Sequence, residues 1–337
     1  MAAQEIARLG TVRRTAHREV WWTCPTPGPE VLGLRCVDDV FVVAATVTGI
    51  GHTRGDLRLL AKAAAAVDAE RVVAQRMSFG IRACPSTVDV SASFLGRRNY
   101  TRFDLEDTVG EPLAAALGLP YRSRRNGHSP PPDSLSWRVT VTDDQAVLSL
   151  RIAPKPLHRR SYRQASRPGA LHPPVAAAML LLASPRPGER LLDPFCGTGT
   201  IPVEADPALT GIGTDADPSA IAAARTNGAG RDITWALADA GRLPFRTGGI
   251  DVVVTNPPWN RQVKPSATLA ADPDRFWAEL TRTLTPTGRA VLLLPDADHH
   301  LADAVKAGLT PTDRRPVSLF GTHPELVTVK PRTNPPH

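Results

Sequence analysis

What most restricts the folds open to this chain is a series of short apolar runs in its second half. Arg190–Asp193, Leu209–Asp215, Ile233–Ala238, Ile250–Thr255 and Arg289–Leu294 each have the length of a strand and are largely apolar. Helical patterns or turns separate them, as a parallel sheet buried on both faces requires. The helix after the second run is well punctuated. Asp217 can cap it, Pro218 stands where a first turn accepts proline, Ile221 to Ala224 fill its body, and Asn227-Gly228 can end it. Val317–Phe320 and Leu326–Val329 read as a hairpin closing one edge. The expected architecture is α/β, a doubly wound and mostly parallel sheet with an antiparallel edge hairpin.

The first half has a different rhythm. Val31–Cys36 and Val40–Val47 predict strands, Leu57–Gln75 a long helix, and Ser78–Ala83 another strand. Phe103–Leu117 predicts a second helical region, restarted at Pro112 and stopped by Gly118-Leu119-Pro120. Leu135–Thr142 and Gln145–Ile152 flank the turn Asp143-Asp144, so this half is a smaller α+β unit. Tyr121–Pro132, with three arginines and three consecutive prolines, reads as a loop.

Charge divides along the same line. Residues 1–170 hold 24 Lys and Arg against 16 Asp and Glu, a net of +8, whereas residues 171–337 hold 16 against 17, a net of −1. Of the 40 basic residues 35 are arginine, the side chain suited to bidentate phosphate contact and to stacking on bases. A genome-wide bias toward arginine would explain that ratio but not the asymmetry between halves. The stretch 151–169 carries Arg151, Lys155, Arg159, Arg160, Arg163 and Arg167 with no acid, and interleaves His158 and Tyr162. A charge run is commonly a solvated linker; here its position between a basic and a neutral half points to nucleic-acid contact. Cys24, Cys36, Cys84 and Cys196 form no Cys-x-x-Cys pair, so neither a disulfide framework nor a zinc site is expected. His299 and His300 have no partnering motif and read as surface residues. No apolar run reaches eighteen residues and the start lacks a signal pattern, so a cytoplasmic protein without a membrane partner is expected; a monomer without a metal partner is expected as well.

Asp193-Pro194-Phe195-Cys196-Gly197-Thr198-Gly199-Thr200 follows a predicted strand and opens a predicted helix. Gly197 and Gly199 let the backbone turn tightly and approach a ligand, and the helix start offers N–H groups to a carboxylate. A dinucleotide fingerprint would need a third glycine where Pro202 stands, and a phosphate loop would need Gly-Lys-Ser/Thr. Asp215 lies 22 residues after Asp193, the spacing at which an acid in a βαβ unit reaches ribose hydroxyls. Asp239, beside Ala240, follows the third strand, where it can accept from an adenine amino group. Any one of these acids could be a simple helix cap. Three in register with three successive strands indicate S-adenosylmethionine.

Ile250–Thr255 runs directly into Asn256-Pro257-Pro258-Trp259. An exocyclic base amine is a weak nucleophile because its lone pair is delocalised into the ring. The Asn256 side-chain oxygen and the Pro257 carbonyl can accept its two hydrogens and turn the lone pair toward a methyl donor. Proline contributes no competing N–H, and Trp259 offers a face for an extruded base. Alone, this tetrapeptide would pass for an ordinary strand-ending turn.

Asp193-Pro-Phe-Cys-Gly-Thr-Gly-Thr-Ile201 and Thr255-Asn-Pro-Pro-Trp259 resemble motifs I and IV of class I methyltransferases acting on amino groups. Leu157-His-Arg-Arg-Ser-Tyr-Arg163, Pro168–Met179, Ser78–Arg82 and Arg97–Glu106 are similar to THUMP-containing RNA guanine-N2 methyltransferases, so the resemblance spans most of residues 30–330. It implies a ferredoxin-like piece at 1–50, a THUMP-like RNA-binding domain at 51–153, a basic linker at 154–170 and a Rossmann-like catalytic domain at 171–337. It also implies a cofactor pocket from Asp193, Pro194, Cys196, Gly197, Gly199, Thr200, Asp215, Asp239 and Ala240, and a target-amine site from Asn256 to Trp259. Arg97, Arg98, Arg159, Arg160 and Arg163 are the expected RNA contacts, with a tRNA acceptor-stem guanosine as the substrate. The short, weakly patterned segment before Ser78, and Trp259 where many relatives have Tyr or Phe, depart from the pattern. The motifs alone leave open ribosomal RNA, N6 of adenine and protein glutamine as acceptors, and a nonenzymatic RNA-binding protein with a vestigial cofactor fold.

Overall fold

The computed structural model describes residues 1–16, 18–82, 84–127, 129–258, 268–319 and 321–332, which leaves the expected site residue Trp259, and Ala83 and Phe320 of two expected strands, outside the described residues. The chain divides into two compact units, 2–159 and 160–337.

The first unit runs α1 (Ala2–Ile6), β1 (Thr11–Ala16), β2 (Glu19–Thr23), β3 (Phe41–Val47), α2 (Leu57–Ala65), α3 (Ala69–Met77), β4 (Val88–Phe94), α4 (Arg102–Leu117), β5 (Leu135–Thr142) and β6 (Gln145–Arg151). Its sheet has the order β3-β6-β5-β4, with β4 and β5 parallel and the other pairs antiparallel. Alternate residues of β5 (Leu135, Trp137, Val139, Val141) are buried against helix residues such as Leu60, Leu105, Val109 and Leu113. Strand β3, which the expected division at residue 50 places in the first piece, is the edge of this sheet.

Several expectations here are corrected. Val31–Cys36 is not a strand: Pro29 starts a 3-10 turn over Pro29–Gly33, and the Glu5 carboxylate accepts from the amides of Arg35 and Cys36, both at 2.8 Å. The long helix is two, because Asp68 caps the second by accepting from the Arg71 amide at 2.9 Å. Ser78–Arg82 continues from the end of α3 through a turn at Gly80 (φ +85°), and the strand lies later, at β4. Helix α4 passes through Pro112 unbroken, capped by Thr101 with Asp104 and ended by left-handed Gly118.

The second unit runs α5 (Pro173–Ala183), β7 (Arg190–Asp193), α6 (Thr200–Glu204), β8 (Thr210–Asp215), α7 (Pro218–Asn227), β9 (Ile233–Leu237), β10 (Ile250–Thr255), α8 (Thr268–Ala271), α9 (Arg275–Thr283), β11 (Leu284–Leu294), α10 (Ala297–Lys306), β12 (Leu309–Pro316) and β13 (Glu325–Pro331). The sheet order is β12-β13-β11-β10-β7-β8-β9, with β9 to β11 parallel through the centre and β13 and β12 antiparallel at one edge. This is the class I methyltransferase architecture. The edge hairpin is β12 with β13, so its first strand precedes the expected Val317–Phe320. Successive strands step outward from β7 to β9, and the chain then returns to place β10 on the other side of β7. Such a reversal opens a crevice at the carboxyl ends of the two strands, where open α/β sheets bind ligands. Separate apolar clusters pack the faces of the sheet. No helix among the described residues is long and apolar enough to cross a membrane.

Candidate active site

The two strands flanking the crevice are joined at their ends. The Thr255 hydroxyl, last in β10, donates to Asp193 Oδ1 at 2.7 Å, and the Phe195 amide reaches the same oxygen at 3.2 Å. Asp193 is 2% exposed. Burial pushes its carboxyl up to about 7, against the lowering effect of those hydrogen bonds, and the neighbouring Asp215 charge adds to the rise.

Beyond Asp193 the backbone folds back on β8. The Cys196 amide donates to the Thr214 carbonyl and the Gly199 amide to the Cys196 carbonyl. Gly197 (φ +52°) and Gly199 (φ +78°) lie in the left-handed region, so glycine is required at both turns. A Cβ on Gly197 would meet open space, whereas one on Gly199 would lie 2.6 Å from the Trp235 ring and 3.1 Å from the Ala224 Cβ. Gly199 therefore packs on the protein, and Gly197 has open space beside it. Pro194, Cys196 and Thr200 are buried, and burial raises the Cys196 thiol above its ordinary range.

Asp215, at the end of β8, is half-buried and holds the loop directly: Oδ2 accepts from the Gly197 amide at 2.9 Å and Oδ1 from the Asp217 amide at 3.0 Å. A carboxylate has about four lone-pair sites, so acceptor capacity for vicinal hydroxyls remains. Asp239, two residues past β9, accepts from the Gly241 amide at 2.9 Å and from the amide and hydroxyl of Thr268. Burial raises this carboxyl, but those hydrogen bonds outweigh it and leave it below its ordinary value. Ala240 beside it is 4% exposed. The structure thus brings together every expected cofactor residue from Asp193 to Ala240 around the carboxyl ends of β7, β8 and β9. The donors and acceptors fit S-adenosylmethionine: carboxylates for an ammonium and for ribose hydroxyls, and an open glycine turn for close backbone approach.

On the acceptor side Asn256 is half-buried and Pro257 buried. Pro257 and Pro258 enter the lining of a cavity of about 420 Å³ with Phe195, Phe276 and Trp277. Phe195 and Phe276 are in tilted contact at 5.3 Å between ring centroids. His299 and His300 of α10 line the same cavity; His299 is exposed, as expected of a surface residue, and His300 is half-buried.

Two further residues escaped the sequence. Trp235, within β9, would collide with a Cβ at Gly199, Gly213 or Gly228, at 2.6, 2.3 and 2.8 Å. Its indole therefore fits a space cleared by three glycines, and only the fold brings those glycines together. Asn227, read as a helix stop, is 3% exposed, and both ends of its amide are engaged. Its Oδ1 accepts from the amides of Gln164 and Ala165 at 2.9 and 2.8 Å, and its Nδ2 donates to the carbonyls of Ala165 and Thr198 at 3.0 and 2.9 Å. It ties the end of the basic stretch to the cofactor loop.

The expected RNA arginines separate into two sorts. Arg98 donates to the carbonyls of Ile50, Gly51 and Asp143 and to the Tyr100 hydroxyl, and Arg160 forms an ion pair at 3.0 Å with Glu204, whose side chain is 1% exposed. Tyr162 donates to the same Glu204 oxygen at 2.7 Å. These three groups have protein partners. Arg97 and Arg159 are exposed, and Arg163 is half-buried, reaching Ser166 Oγ at 3.4 Å.

Comparison with known proteins agrees with this geometry. The family model UPF0020, described as RMKL-like methyltransferase domain, matches residues 160–319. The tRNA (guanine(6)-N2)-methyltransferase of Thermus thermophilus is 31% identical over 250 residues, covering 72% of this chain and 71% of that protein. The human tRNA (guanine(6)-N(2))-methyltransferase THUMP3 is 30% identical over 185 residues, 47% of this chain and 35% of its own length. The crystal structure of TrmN from Thermus thermophilus superposes with a TM-score of 0.71 at 27% identity, covering 98% of this chain and 95% of that one.

Proposed function

The chain belongs to the THUMP-containing, S-adenosylmethionine-dependent RNA guanine-N2 methyltransferase family, and from that premise we propose that it methylates N2 of a guanosine in the acceptor stem of tRNA, with Asn256, Pro257, Pro258 and Trp259 presenting the amine. The single observation that carries this reading is the Thr255–Asp193 hydrogen bond, which fixes the start of the amine turn against the cofactor loop.

S-adenosylmethionine supplies a methyl group on a positively charged sulfur. Among the described residues both hydrogen bonds to Asp193 fall on Oδ1, and Oδ2 is the oxygen we assign to an ammonium group. Asp215, already oriented by two backbone amides, accepts from ribose hydroxyls. Asp239, with Ala240 against it, receives the adenine amino group. The Asn256 amide oxygen and the Pro257 carbonyl accept the two N2 hydrogens, so the nitrogen lone pair leaves conjugation with the ring and faces the methyl. The apolar surface of Pro257, Pro258 and Phe195 excludes water from this step. We assign the first unit, including the THUMP-like span 51–153 and the ferredoxin-like piece 1–50, to holding the tRNA, and the exposed Arg97, Arg159 and the half-buried Arg163 to phosphate contact.

Nucleoside mass spectrometry of unmodified tRNA transcripts after incubation with the protein and labelled cofactor tests the reading. N2-methylguanosine is the expected product. N6-methyladenosine, or label in ribosomal RNA or protein alone, would replace guanine-N2 of tRNA as the acceptor. Absence of any cofactor binding in calorimetry would remove the enzymatic reading altogether.

A further inference from the structure

The hairpin of β1 and β2 forms a two-stranded sheet of its own. Val12, Val20 and Trp22 seat it on the apolar cluster that contains Ile6, Val31 and Val40. Five of the six residues of β1 are exposed, and residues 8–23 hold four arginines against one acid. Regular alternation would put Arg14 on the same face as Val12, turned toward that cluster. A bulge prevents this. Val12 pairs with Trp22 and Arg14 with Trp21, so Arg13 is the extra residue and Arg14 takes the face of Trp21. The Arg14 guanidinium lies over the Trp21 ring, 5.1 Å from its centroid and within cation–π reach. Arg13 Nε donates at 3.3 Å to the hydroxyl of Thr23, two residues from Trp21 and therefore on the same outer face. Glu19, the acid of the hairpin, accepts from Trp21 Nε1 at 3.0 Å, and among the described residues neither arginine forms an ion pair.

We propose that this outer face is a contact for the RNA sugar–phosphate backbone, in which Arg13 and Arg14 hold two phosphates and Trp21 positions the Arg14 guanidinium. The inference rests on the tRNA reading above and adds to it a surface and residues that the motifs do not mark. Arg98 and Arg160 give their N–H groups to carbonyls and to a carboxylate of the protein. Arg13 and Arg14 are exposed. The ring face fixes where the Arg14 guanidinium lies without supplying a carboxylate or carbonyl acceptor, so its planar N–H fork stays available to a phosphate. The bulge does the aiming: one extra residue in β1 turns two consecutive arginines to the same side, where a regular strand would divide them between faces. Contacts of this kind carry no base information, so the hairpin holds the RNA without choosing its sequence.

The test is binding of the full chain to an unmodified tRNA transcript, measured over a range of salt concentrations. Arg13→Ala/Arg14→Ala should weaken binding about tenfold near physiological salt and lower the slope of log K against log salt by about two. Its thermal melt and its cofactor Kd should match wild type, since both side chains are exposed. Trp21→Ala should weaken binding about threefold when Arg14 is present and no further in an Arg14→Ala chain, a dependence that a merely structural tryptophan would not show. Trp21→Phe keeps a ring face and should restore most of the affinity. An unchanged affinity and salt slope in Arg13→Ala/Arg14→Ala would overturn the inference and leave the tRNA reading standing. So would a loss of binding to phosphatidylglycerol vesicles with tRNA binding intact, which would make the hairpin a membrane contact. A wild-type chain without salt-dependent tRNA binding would instead remove the tRNA reading, and this inference with it.

Discussion

The two sides of the crevice are built on opposite principles. On the donor side the carboxylates of Asp193, Asp215 and Asp239 are each oriented by backbone amides or hydroxyls before any ligand arrives. On the acceptor side the wall is Pro257, Pro258 and aromatic carbon, with polar groups confined to α10 and the start of α9. A charged, hydroxyl-rich cofactor needs fixed acceptors, whose orientation costs nothing at the moment of binding. A neutral base with a reluctant amine needs desolvation and a stacking surface. The Thr255–Asp193 hydrogen bond joins the two sides.

Substitutions can break this division of labour. Asn256→Ala should have the largest effect: turnover falls about 10²–10³-fold, the range for removing one group that stabilises the reacting centre, while cofactor affinity stays near wild type. Parallel losses in kcat and cofactor Kd would erase the distinction between the sides. Asp193 sharpens the donor side through pH. Its folded pKa of about 7 lies above the ordinary carboxylate value, so its contribution to stability is fully present below about 4 and is lost as pH rises toward 7. Thermal melts without cofactor should show this loss of stability as pH rises, and Asp193→Asn should flatten it; identical pH profiles would contradict the burial argument.

Asn227→Ala should destabilise the second unit by about 3 kcal/mol, because four backbone groups lose a buried partner, and should weaken cofactor binding through Thr198. A stable variant with altered cofactor affinity would show the residue acting on the loop alone. Asp215→Ala should weaken cofactor binding by about 2 kcal/mol, roughly thirtyfold, as expected for charged hydrogen bonds, with kcat at saturating cofactor changed far less. The smallest effect is expected of Arg159→Ala: a few-fold loss of tRNA affinity and a reduction of about one in the slope of log K against log salt. An unchanged salt slope would take Arg159 out of the phosphate contacts.

The comparison also marks how far the sequence can be read. The donor side was legible because a tight glycine turn, an acid 22 residues later and an acid after the third strand are local patterns with fixed spacing. The turn at Asn256 was legible for the same reason. Residue type alone does not show a side chain's partners: the guanidinium groups of Arg98 and Arg160 are held by carbonyls 47 or 48 residues away and by a carboxylate 44 residues away. Asn227 looked like punctuation because its partners at 164, 165 and 198 are distant in sequence. Trp235 gave no sign, since the three glycines that accommodate its ring come from three separate elements.

By itself, then, the chain's order of residues determined the alternation of strands and helices and the cofactor chemistry. Those depend on hydrophobic period, turn residues and spacing, which act over a few residues. Tertiary structure decided which charges remain exposed, which polar groups brace the loop, and which side chains line the cavity beside Pro257 and Pro258. His299 and His300 show the difference most plainly: an unremarkable pair on an amphipathic helix becomes part of a cavity wall only once the strand β11 brings α10 beside the end of β10.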